Sequence, residues 1–356
     1  MGTFKLTTEE GRVGDPPPDE RQVVSEPAFP AAIRTFAVGD GPRIAAAWTR
    51  AAPQDGMTAN RFSELVLLDR NFEAEGLFVA EQGGEIVGAS YAVRRRIAHD
   101  GSDLEPERGW IPFFFVTQNA RGAGLGRSLV SRAMEWLAGH GRTEVVFSAY
   151  TPNYVLPGLD IERYPEAAEL LTSLGFTEIE RPSAMDRSLI GYEMPAEARG
   201  LVDGLIERGY TLSSPTRDEL VPLIQMAGER FNSDWARAIR EGTVSGLPLE
   251  RIIVARDPEG TLLGWAMHGT YEGVIERFGP FGVVPESRGT GLGKALLHVT
   301  LERMCALGAH SAWFLWADFG SAASQLYAKT GFGISRTFSI LRAELGAPTA
   351  TEGGAA

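Results

Sequence analysis

The chain has 356 residues, 44% of them apolar, and a formal net charge of −12 at pH 7. This length suits two domains, each with enough apolar residues for a hydrophobic core. The acidic balance argues against nucleic acid as a partner, because nucleic-acid-binding proteins cluster Lys and Arg.

The two ends of the chain differ in composition from its middle. Residues 1–30 are rich in Pro, Asp and Glu and predict a mobile leader, and 346–356 predict a loose tail. The start lacks the apolar core of a secretory signal, and no segment approaches the ~20 apolar residues of a membrane helix. The single cysteine, Cys305, excludes an internal disulfide. These features predict a cytoplasmic protein that does not use a membrane as a partner.

The first predicted elements are a pair of strands joined at Gly83-Gly84, followed by an apolar strand, IPFFFV, and a glycine cluster at Arg121. An amphipathic helix comes next. Its apolar residues recur at spacings of three and four and predict one buried face, formed by Leu129, Val130, Ala133, Met134 and Leu137. A further strand, VVFSAY, and a second helix that ends at LGF complete this half of the chain.

The same order of elements returns in the second half. RGAGLGRSLVSRAMEWL, from Arg121, recurs as RGTGLGKALLHVTLERM, from Arg288, about 167 residues later, which is too long for a solenoid repeat. A strand pair turning at Glu259-Gly260 precedes the second cluster, and AWFLWA and a helix ending at TGF follow it. The predicted buried face of the second helix is formed by Leu296, Leu297, Val299, Thr300 and Met304. The chain is therefore predicted to be two copies of one α/β domain.

The domain boundary is predicted where the first copy ends. A short helix, 196–208, stops at Gly209, and Thr216 followed by Glu219 has the form of a capping box at the start of the next helix. We expect an amino-terminal domain at 31–193, a linker helix and strand at 194–212, and a carboxy-terminal domain at 213–345.

Spacing excludes two phosphate-binding motifs for the glycine clusters. A Walker loop needs a glycine five positions before Gly293-Lys294, where Arg288 stands, and a hydroxyl residue where Ala295 stands. A dinucleotide fingerprint needs a third glycine, but Leu129 and Leu296 occupy those positions. Neither a nucleoside triphosphate nor a dinucleotide cofactor is predicted.

Both clusters have the pattern R-x-x-G-x-G. It is formed by Arg121, Gly124 and Gly126 and again by Arg288, Gly291 and Gly293. Missing side chains let the backbone approach a pyrophosphate, and the following helix directs free N–H groups at the anion. The chain here resembles the GCN5-related N-acetyltransferase (GNAT) family, whose acyl-CoA loop has this pattern. The resemblance covers nearly all of both halves, and the arrangement is similar to that of mycothiol synthase, although Gly320 stands where an Asn is common.

The resemblance implies two tandem GNAT-like α/β domains, each a mixed, mostly antiparallel sheet flanked by helices. It also implies acetyl-CoA as cosubstrate. The implied acyl-CoA residues of the second half are Phe281, Val283, Arg288, Gly289, Thr290, Gly291, Leu292, Gly293 and Lys294. Those of the first half are Phe114, Val116, Arg121, Gly122, Ala123, Gly124, Leu125, Gly126 and Arg127.

Catalysis is predicted in the second half. Acyl transfer leaves a thiolate, and a phenol near the sulfur stabilises it by donating its proton. Tyr327, four residues before Gly331, lies where the family commonly has this acid, whereas the first half has Leu171 there. The first half is therefore predicted to be degenerate: a scaffold, a regulatory copy or an enzyme that uses another group.

The general base is left open between several carboxylates. Glu276, before the second acyl-CoA loop, is near the family's usual position, and Asp318 and Glu272 compete with it. Water is the remaining alternative. His268 lies in a strand pattern and is expected to be packed rather than basic. Because the five histidines are scattered and there is one cysteine, no metal site is predicted.

The acceptor is predicted to be a primary amine of a small molecule. Phe231, Asp234 and Trp235 lie in the region that overhangs the acceptor in the family, but amphipathic packing explains their pattern better. Tyr150, Tyr154 and Tyr164 lie in a Pro- and Gly-rich excursion and are expected to pack a surface loop. The rival to an N-acetyltransferase is a non-catalytic acyl-CoA sensor, and either a monomer or a homodimer is compatible with the sequence.

Overall fold

The computed structural model describes residues 31–98, 101, 103–318 and 320–346. The predicted leader and all but the first residue of the predicted tail lie outside the described residues. Within the described part, the chain forms two α/β halves that repeat the same order of strands and helices.

The amino-terminal half begins with a short strand and two helices and continues into a sheet. Its strands are β1 (Ala32–Thr35), β2 (Leu77–Gln82), β3 (Glu85–Val93), β4 (Arg108–Val116), β5 (Glu144–Phe147), β6 (Thr177–Glu180) and β7 (Pro182–Ser188). Its helices are α1 (Asp40–Ala51), α2 (Ala59–Phe62), α3 (Leu125–Gly139) and α4 (Pro165–Ser173).

The carboxy-terminal half has the same plan. It is preceded by α5 (Ala196–Glu207), and its strands are β8 (Thr211–Ser213), β9 (Ile252–Arg256), β10 (Leu262–His268), β11 (Phe278–Val283), β12 (Ser311–Asp318), β13 (Gly333–Thr337) and β14 (Ile340–Glu344). Its helices are α6 (Leu220–Arg230), α7 (Ser233–Val244), α8 (Leu292–Ala306) and α9 (Ala322–Lys329).

The strands form three sheets, with the orders β1-β2-β3-β4-β5-β14-β6, β11-β10-β9-β8 and β12-β7-β13. Neighbouring strands are antiparallel except β4 and β5, which are parallel from Arg108 to Ile111. The fold is therefore the predicted α/β class with mixed, mostly antiparallel sheets flanked by helices.

The two halves exchange strands. β14 ends the carboxy-terminal half but lies between β5 and β6, where Leu341 faces Phe147. β7 ends the amino-terminal half but lies between β12 and β13, where Met185 faces both Phe314 and Ile334. Sheet pairing thus crosses the predicted ranges 31–193 and 213–345 in both directions, because each half completes its sheet with a strand of the other.

The helix faces follow the predicted periodicity. Leu129, Val130, Ala133 and Leu137 of α3 are buried, with Met134 partly so. The predicted face of α8 is likewise buried, with Val299 only partly covered. The capping box at the next helical start is also present, since Thr216 and Glu219 each bind the other's backbone.

No helix within the described ranges is long and apolar enough to cross a membrane. Across the same residues, no group of His, Cys, Asp and Glu side chains has an arrangement that would hold a metal ion.

Candidate active site

The first glycine turn is open. Gly122 and Gly124 have φ of +85° and +78°, values that glycine adopts without strain, and a Cβ at either position would meet no atom of the described residues within 4 Å. No side chain caps the start of α3. The first N–H groups of the helix are therefore available to an anion.

The side chain of Arg121 links this turn to two neighbouring elements. Its guanidinium donates to the carbonyl oxygens of Val116 and Ala51, each at 3.1 Å, and so joins the turn to the ends of β4 and α1. Arg127, in the first turn of α3, donates to the hydroxyl of Ser173 at 2.6 Å. Within the described residues, its cation thus lies beside the turn without a carboxylate partner.

A cleft of about 490 Å³ continues from the open turn. β4 and β5 pair only as far as Ile111 and Phe147, and beyond them no strand of the described chain pairs with that edge of β4. The walls are mainly apolar and come from α1, β4, the segment after β5, and α4. They include Trp48, Ala51, Ala52, Pro112, Phe113, Phe114, Phe115, Val116, Leu125, Phe147, Val155, Leu156, Leu159, Ala167 and Leu170.

Most of the predicted acyl-CoA residues of this half line the cleft. Phe114, Val116, Arg121, Gly122, Gly124, Leu125, Gly126 and Arg127 all do so. Ala123 is exposed in the turn and is not among the lining residues.

Three polar side chains, Asp55, Asp160 and Tyr164, line one wall of the cleft, and Arg336 is hydrogen-bonded to the first two. Arg336, from β13, donates from Nη1 to Oδ1 of Asp55 at 2.6 Å and from Nε to Oδ2 of Asp160 at 2.8 Å. Tyr164 donates its hydroxyl to Oδ2 of Asp55 at 2.5 Å. The side chains of Asp55, Asp160 and Arg336 are 9%, 5% and 14% exposed, so the wall is largely shielded from water.

Burial and the hydrogen bonds within this wall determine the protonation states of Asp55 and Tyr164. Burial alone would raise the pKa of Asp55, but hydrogen bonds from Arg336 and Tyr164 outweigh it and leave the pKa lowered. Burial, and then the neighbouring Asp55, raise the pKa of Tyr164. At neutral pH Asp55 is therefore ionised and Tyr164 is protonated.

Sequence reasoning missed Asp55, Asp160 and Arg336 and expected Tyr164 to pack a loop. The wall joins residues from three distant parts of the chain, so no local spacing indicated it. Tyr150 is buried and binds Asn71, and Tyr154 packs its ring near Trp316 of β12, in keeping with the expected packing roles.

The second glycine turn is covered by α5. A Cβ at Gly291 would come within 2.9 Å of Leu201, and Lys294 Nζ lies 2.7 Å from Oε1 of Glu197. The hydroxyl of Thr290 accepts from the N–H of Leu292 at 3.4 Å. The cation and one N–H group of the second turn therefore already have partners.

The remaining acyl-CoA residues predicted for the second half lie as follows. Gly289 has φ of +77° and Gly293 packs against Leu326 and Phe281. Arg288 donates to the carbonyl of Val283 at 3.5 Å.

Aromatic rings fill the space between the diverging β11 and β12. The ring of Tyr327 lies 4.6 Å from Phe314, 5.6 Å from Phe332 and 5.9 Å from Phe281 between centroids. The tyrosine is 8% exposed, its hydroxyl has no hydrogen bond from the described residues, and burial raises its pKa. The predicted catalytic acid thus lies inside an aromatic cluster.

The predicted bases of the second half are dispersed. Glu276 lies before β11, and its carbonyl accepts from the N–H of Trp313 at 3.0 Å. Asp318 accepts from the indole of Trp316 at 3.0 Å. Glu272 pairs with Arg61 of α2 at 2.6 Å, which ties it to the contact between the halves. None of these contacts involves Tyr327, and the choice of a general base in this half stays a prediction.

Other residues considered from sequence have packing roles. His268 is fully buried, and its Nδ1 lies 2.8 Å from the carbonyl of Ile275. Phe231 and Trp235 pack their rings against Trp265, and Asp234 pairs with Arg237. These contacts agree with the amphipathic packing expected for this region.

Residues 44–155 match the family described as acetyltransferase (GNAT) family. A 124-residue segment is 34% identical to mycothiol acetyltransferase of Streptomyces bingchenggensis, over 33% of this chain. The match spans only 38% of that relative's length.

Solved structures resemble the whole described chain. A tandem GNAT protein from the clavulanic acid biosynthesis pathway is 17% identical, with a TM-score of 0.63 over 89% of this chain and 99% of its own. A GCN5-related N-acetyltransferase from Sphaerobacter thermophilus is 18% identical, with a TM-score of 0.66 over 88% and 96%. The glucosamine N-acetyltransferase region of a fungal β-N-acetylglucosaminidase is 16% identical, with a TM-score of 0.73 over 89% and 38%. Residues 44–155 are thus similar in sequence to the acetyltransferase (GNAT) family, and the fold of the two halves together resembles that of a solved tandem GNAT protein.

Proposed function

We propose that the chain is an acyl-CoA-dependent N-acyltransferase that transfers acetyl from acetyl-CoA to a primary amine of a small molecule. We place the reaction in the amino-terminal half, not in the carboxy-terminal half that the sequence favoured. One observation carries this choice: the open glycine turn at Gly122 and Gly124 leads directly into the cleft beside β4.

The residues present fit acyl-CoA. The uncapped N–H groups of α3 and the cation of Arg127 suit a pyrophosphate, which oriented N–H groups at a helix start bind well. The unpaired edge of β4 beyond Ile111 offers backbone groups to the amides of the pantetheine arm. In the carboxy-terminal half, Glu197 places a carboxylate at the corresponding turn and would repel a pyrophosphate.

The titratable side chains in the cleft suit distinct tasks. A carboxylate with a lowered pKa, such as Asp55, is a weak base but a good partner for an ammonium group. We assign Asp55 to hold the acceptor amine. Tyr164 stays protonated at neutral pH and is assigned as the proton donor for the departing thiolate. Water first takes one proton from the bound ammonium, and the neutral amine then attacks the thioester carbonyl. The second proton, which the nitrogen loses as the amide forms, returns through water to Tyr164 after Tyr164 has protonated the thiolate.

The cleft walls favour an amine with an apolar body. On the α1 side they consist of Trp48, Phe113, Phe115, Val155 and Leu156. The donors of Arg336 and Tyr164 are already bonded to Asp55 and Asp160, so the polar wall keeps carboxylate lone pairs for one ammonium group but has no donors to spare for hydroxyls. A polyhydroxylated amine would lose its hydrogen bonds to water there without replacing them, which costs free energy for each buried hydroxyl.

We assign the carboxy-terminal half to a scaffold role. Its glycine turn is covered by Leu201 and Glu197, and aromatic rings occupy the space beside β11. It contributes β14 to the sheet of the amino-terminal half, next to the strand that borders the cleft.

The test is calorimetric titration with acetyl-CoA followed by turnover with matched amines. We expect one molecule bound per chain and faster acetylation of phenethylamine than of glucosamine. Binding without turnover of any amine would identify an acyl-CoA sensor. Absence of binding would reject the acyltransferase assignment altogether.

A further inference from the structure

The polar wall of the cleft belongs to the amino-terminal half, but a residue of the carboxy-terminal half, Arg336, holds its carboxylates. Asp55 follows α1, and Asp160 and Tyr164 precede α4, all in the amino-terminal half. Arg336 comes from β13, which pairs with the exchanged strand β7. The residues most distant along the chain, Asp55 and Arg336, are those joined by two hydrogen bonds.

We propose that Arg336 is a positioning residue for the amino-terminal cleft: it fixes Asp55 and Asp160 in the orientation that receives the acceptor amine. The inference rests on the proposed function, because it concerns the amine end of the same cleft. Through Arg336 the carboxy-terminal half takes a direct part in the site, although its own glycine turn is covered by α5.

The geometry of Arg336 supports this role. Nη1 and Nη2 bind the two oxygens of Asp55 at 2.6 and 3.1 Å, and Nε binds Asp160 at 2.8 Å. The guanidinium also lies over the ring of Phe338, 4.9 Å from its centroid. A planar group that makes a forked contact and a third bond fixes both carboxylates at once, which a lysine ammonium does not do.

The charges around Asp55 show what Arg336 contributes. Asp55 faces Arg336 and Tyr164, with the cation of Arg163 acting on it from farther away. Arg163 also lies 3.3 Å from Asp160, so that carboxylate keeps a second cation when Arg336 is removed. Without Arg336, burial would raise the pKa of Asp55 and favour its protonated form.

The experiment compares Arg336→Met with Arg336→Lys, and uses Arg342→Met as control. Arg342 lies on β14, its side chain is 43% exposed, and it is 3.7 Å from Glu144. Acetyl-CoA binding is measured by calorimetry, and kcat and KM for the amine are measured across pH. Absence of acetyl-CoA binding or turnover in the unaltered protein would reject the proposed function and this inference with it, whereas turnover in the unaltered protein that Arg336→Met leaves unchanged would reject this inference alone.

We expect Arg336→Met to bind acetyl-CoA as before but to lose about 10²-fold in kcat/KM for the amine, the size of effect that a misplaced binding group causes. The acidic limb of its pH profile should move to higher pH. Arg336→Lys should lie between Arg336→Met and the unaltered protein, and Arg342→Met should match the unaltered protein. The proposal would be overturned if the acidic limb of either Arg336 variant lay at the same pH as that of the unaltered protein. If Arg336→Met does not fold, the pH profile of Arg336→Lys provides the test.

A double variant, Asp55→Asn with Arg336→Met, separates positioning from a purely structural role. Removing both charges relieves the buried unpaired carboxylate and should restore thermal stability. If Asp55 receives the amine, kcat/KM remains low. Recovery of both stability and kcat/KM would show that the pair only joins the two halves, and would overturn the proposal.

Discussion

Lys294 Nζ lies 2.7 Å from Oε1 of Glu197, so the cation of the second glycine turn is neutralised by a carboxylate on α5. Arg127, at the matching position of the first turn, binds only the neutral hydroxyl of Ser173 in the described structure. Two turns with the same sequence pattern therefore present different electrostatic surfaces to an anion.

This asymmetry predicts which turn binds acyl-CoA. Gly124→Asp should weaken acetyl-CoA binding by at least about tenfold, because the new carboxylate lies beside the pyrophosphate. Gly124→Asn is the matched control, since both side chains tolerate the positive φ of 78° and only one is charged. Calorimetry measures the difference between them.

The corresponding pair at the second turn, Gly291→Asp and Gly291→Asn, should bind acetyl-CoA equally well. A loss confined to Gly291→Asp would place the functional site in the carboxy-terminal half and contradict the proposal.

The two candidate tyrosines lead to opposite expectations. Tyr164→Phe removes the hydroxyl that donates to Asp55, and we expect kcat to fall by about 10²-fold, within the range for loss of a general acid. Tyr327→Phe removes a hydroxyl that has no hydrogen bond from the described residues, and kcat should not change. Steady-state kinetics of both variants at one acetyl-CoA concentration decides between them.

The unfolding free energy provides the control for this pair. Tyr327→Phe should be about as stable as the unaltered protein, because its hydroxyl makes no hydrogen bond to the described residues and the ring contacts are kept. A large drop in kcat for Tyr327→Phe with unchanged stability would restore it as the catalytic acid.

The sequence predicted the repeat, the helix faces and the capping box because each is a local signal. The period of Leu129, Val130, Ala133 and Leu137 follows from helix geometry alone. The open and covered turns were not distinguishable, because Leu201 and Glu197 reach the second turn from a helix whose own sequence shows only amphipathic periodicity.

The exchanged strands were also beyond local reasoning. Strand patterns indicate which face is buried and not which partner pairs with it, so the predicted ranges 31–193 and 213–345 do not indicate that β7 and β14 lie in each other's sheets. The contact of Asp55 with Arg336 depends on this exchange. That is why the wall of the cleft was absent from the predicted site.

A pH-dependent stability is expected from Glu219. A hydrogen bond from Arg256 lowers its pKa from 4.5 to about 2, with Thr216 contributing. A carboxylate whose pKa is lower in the folded state stabilises the fold above its unfolded pKa and loses that contribution as pH falls through the folded pKa. Glu219→Gln should therefore cost about 1 kcal/mol at pH 7, as for loss of a helix cap.

The difference between Glu219→Gln and the unaltered protein should shrink as pH falls from 4.5 towards 2. Urea unfolding across this range measures it, and Asp218→Asn, at an exposed neighbour, is the control. A difference that stays constant with pH would show that the carboxylate charge does not contribute.

The exchanged strands predict that the two halves unfold together. Leu341 of β14 is buried in the core of the amino-terminal half, and Met185 of β7 in that of the carboxy-terminal half. Leu341→Ala and Met185→Ala should each cost about 2–5 kcal/mol, as is usual for large-to-small core changes.

Since each strand completes the other half's sheet, calorimetry should show one transition that moves as a whole in either variant. Ile190→Ala, at a position 79% exposed, should leave it in place. Two transitions, of which each variant moves only one, would mean that the halves are independent despite the exchange, and that Arg336 belongs to a unit that can separate from the cleft.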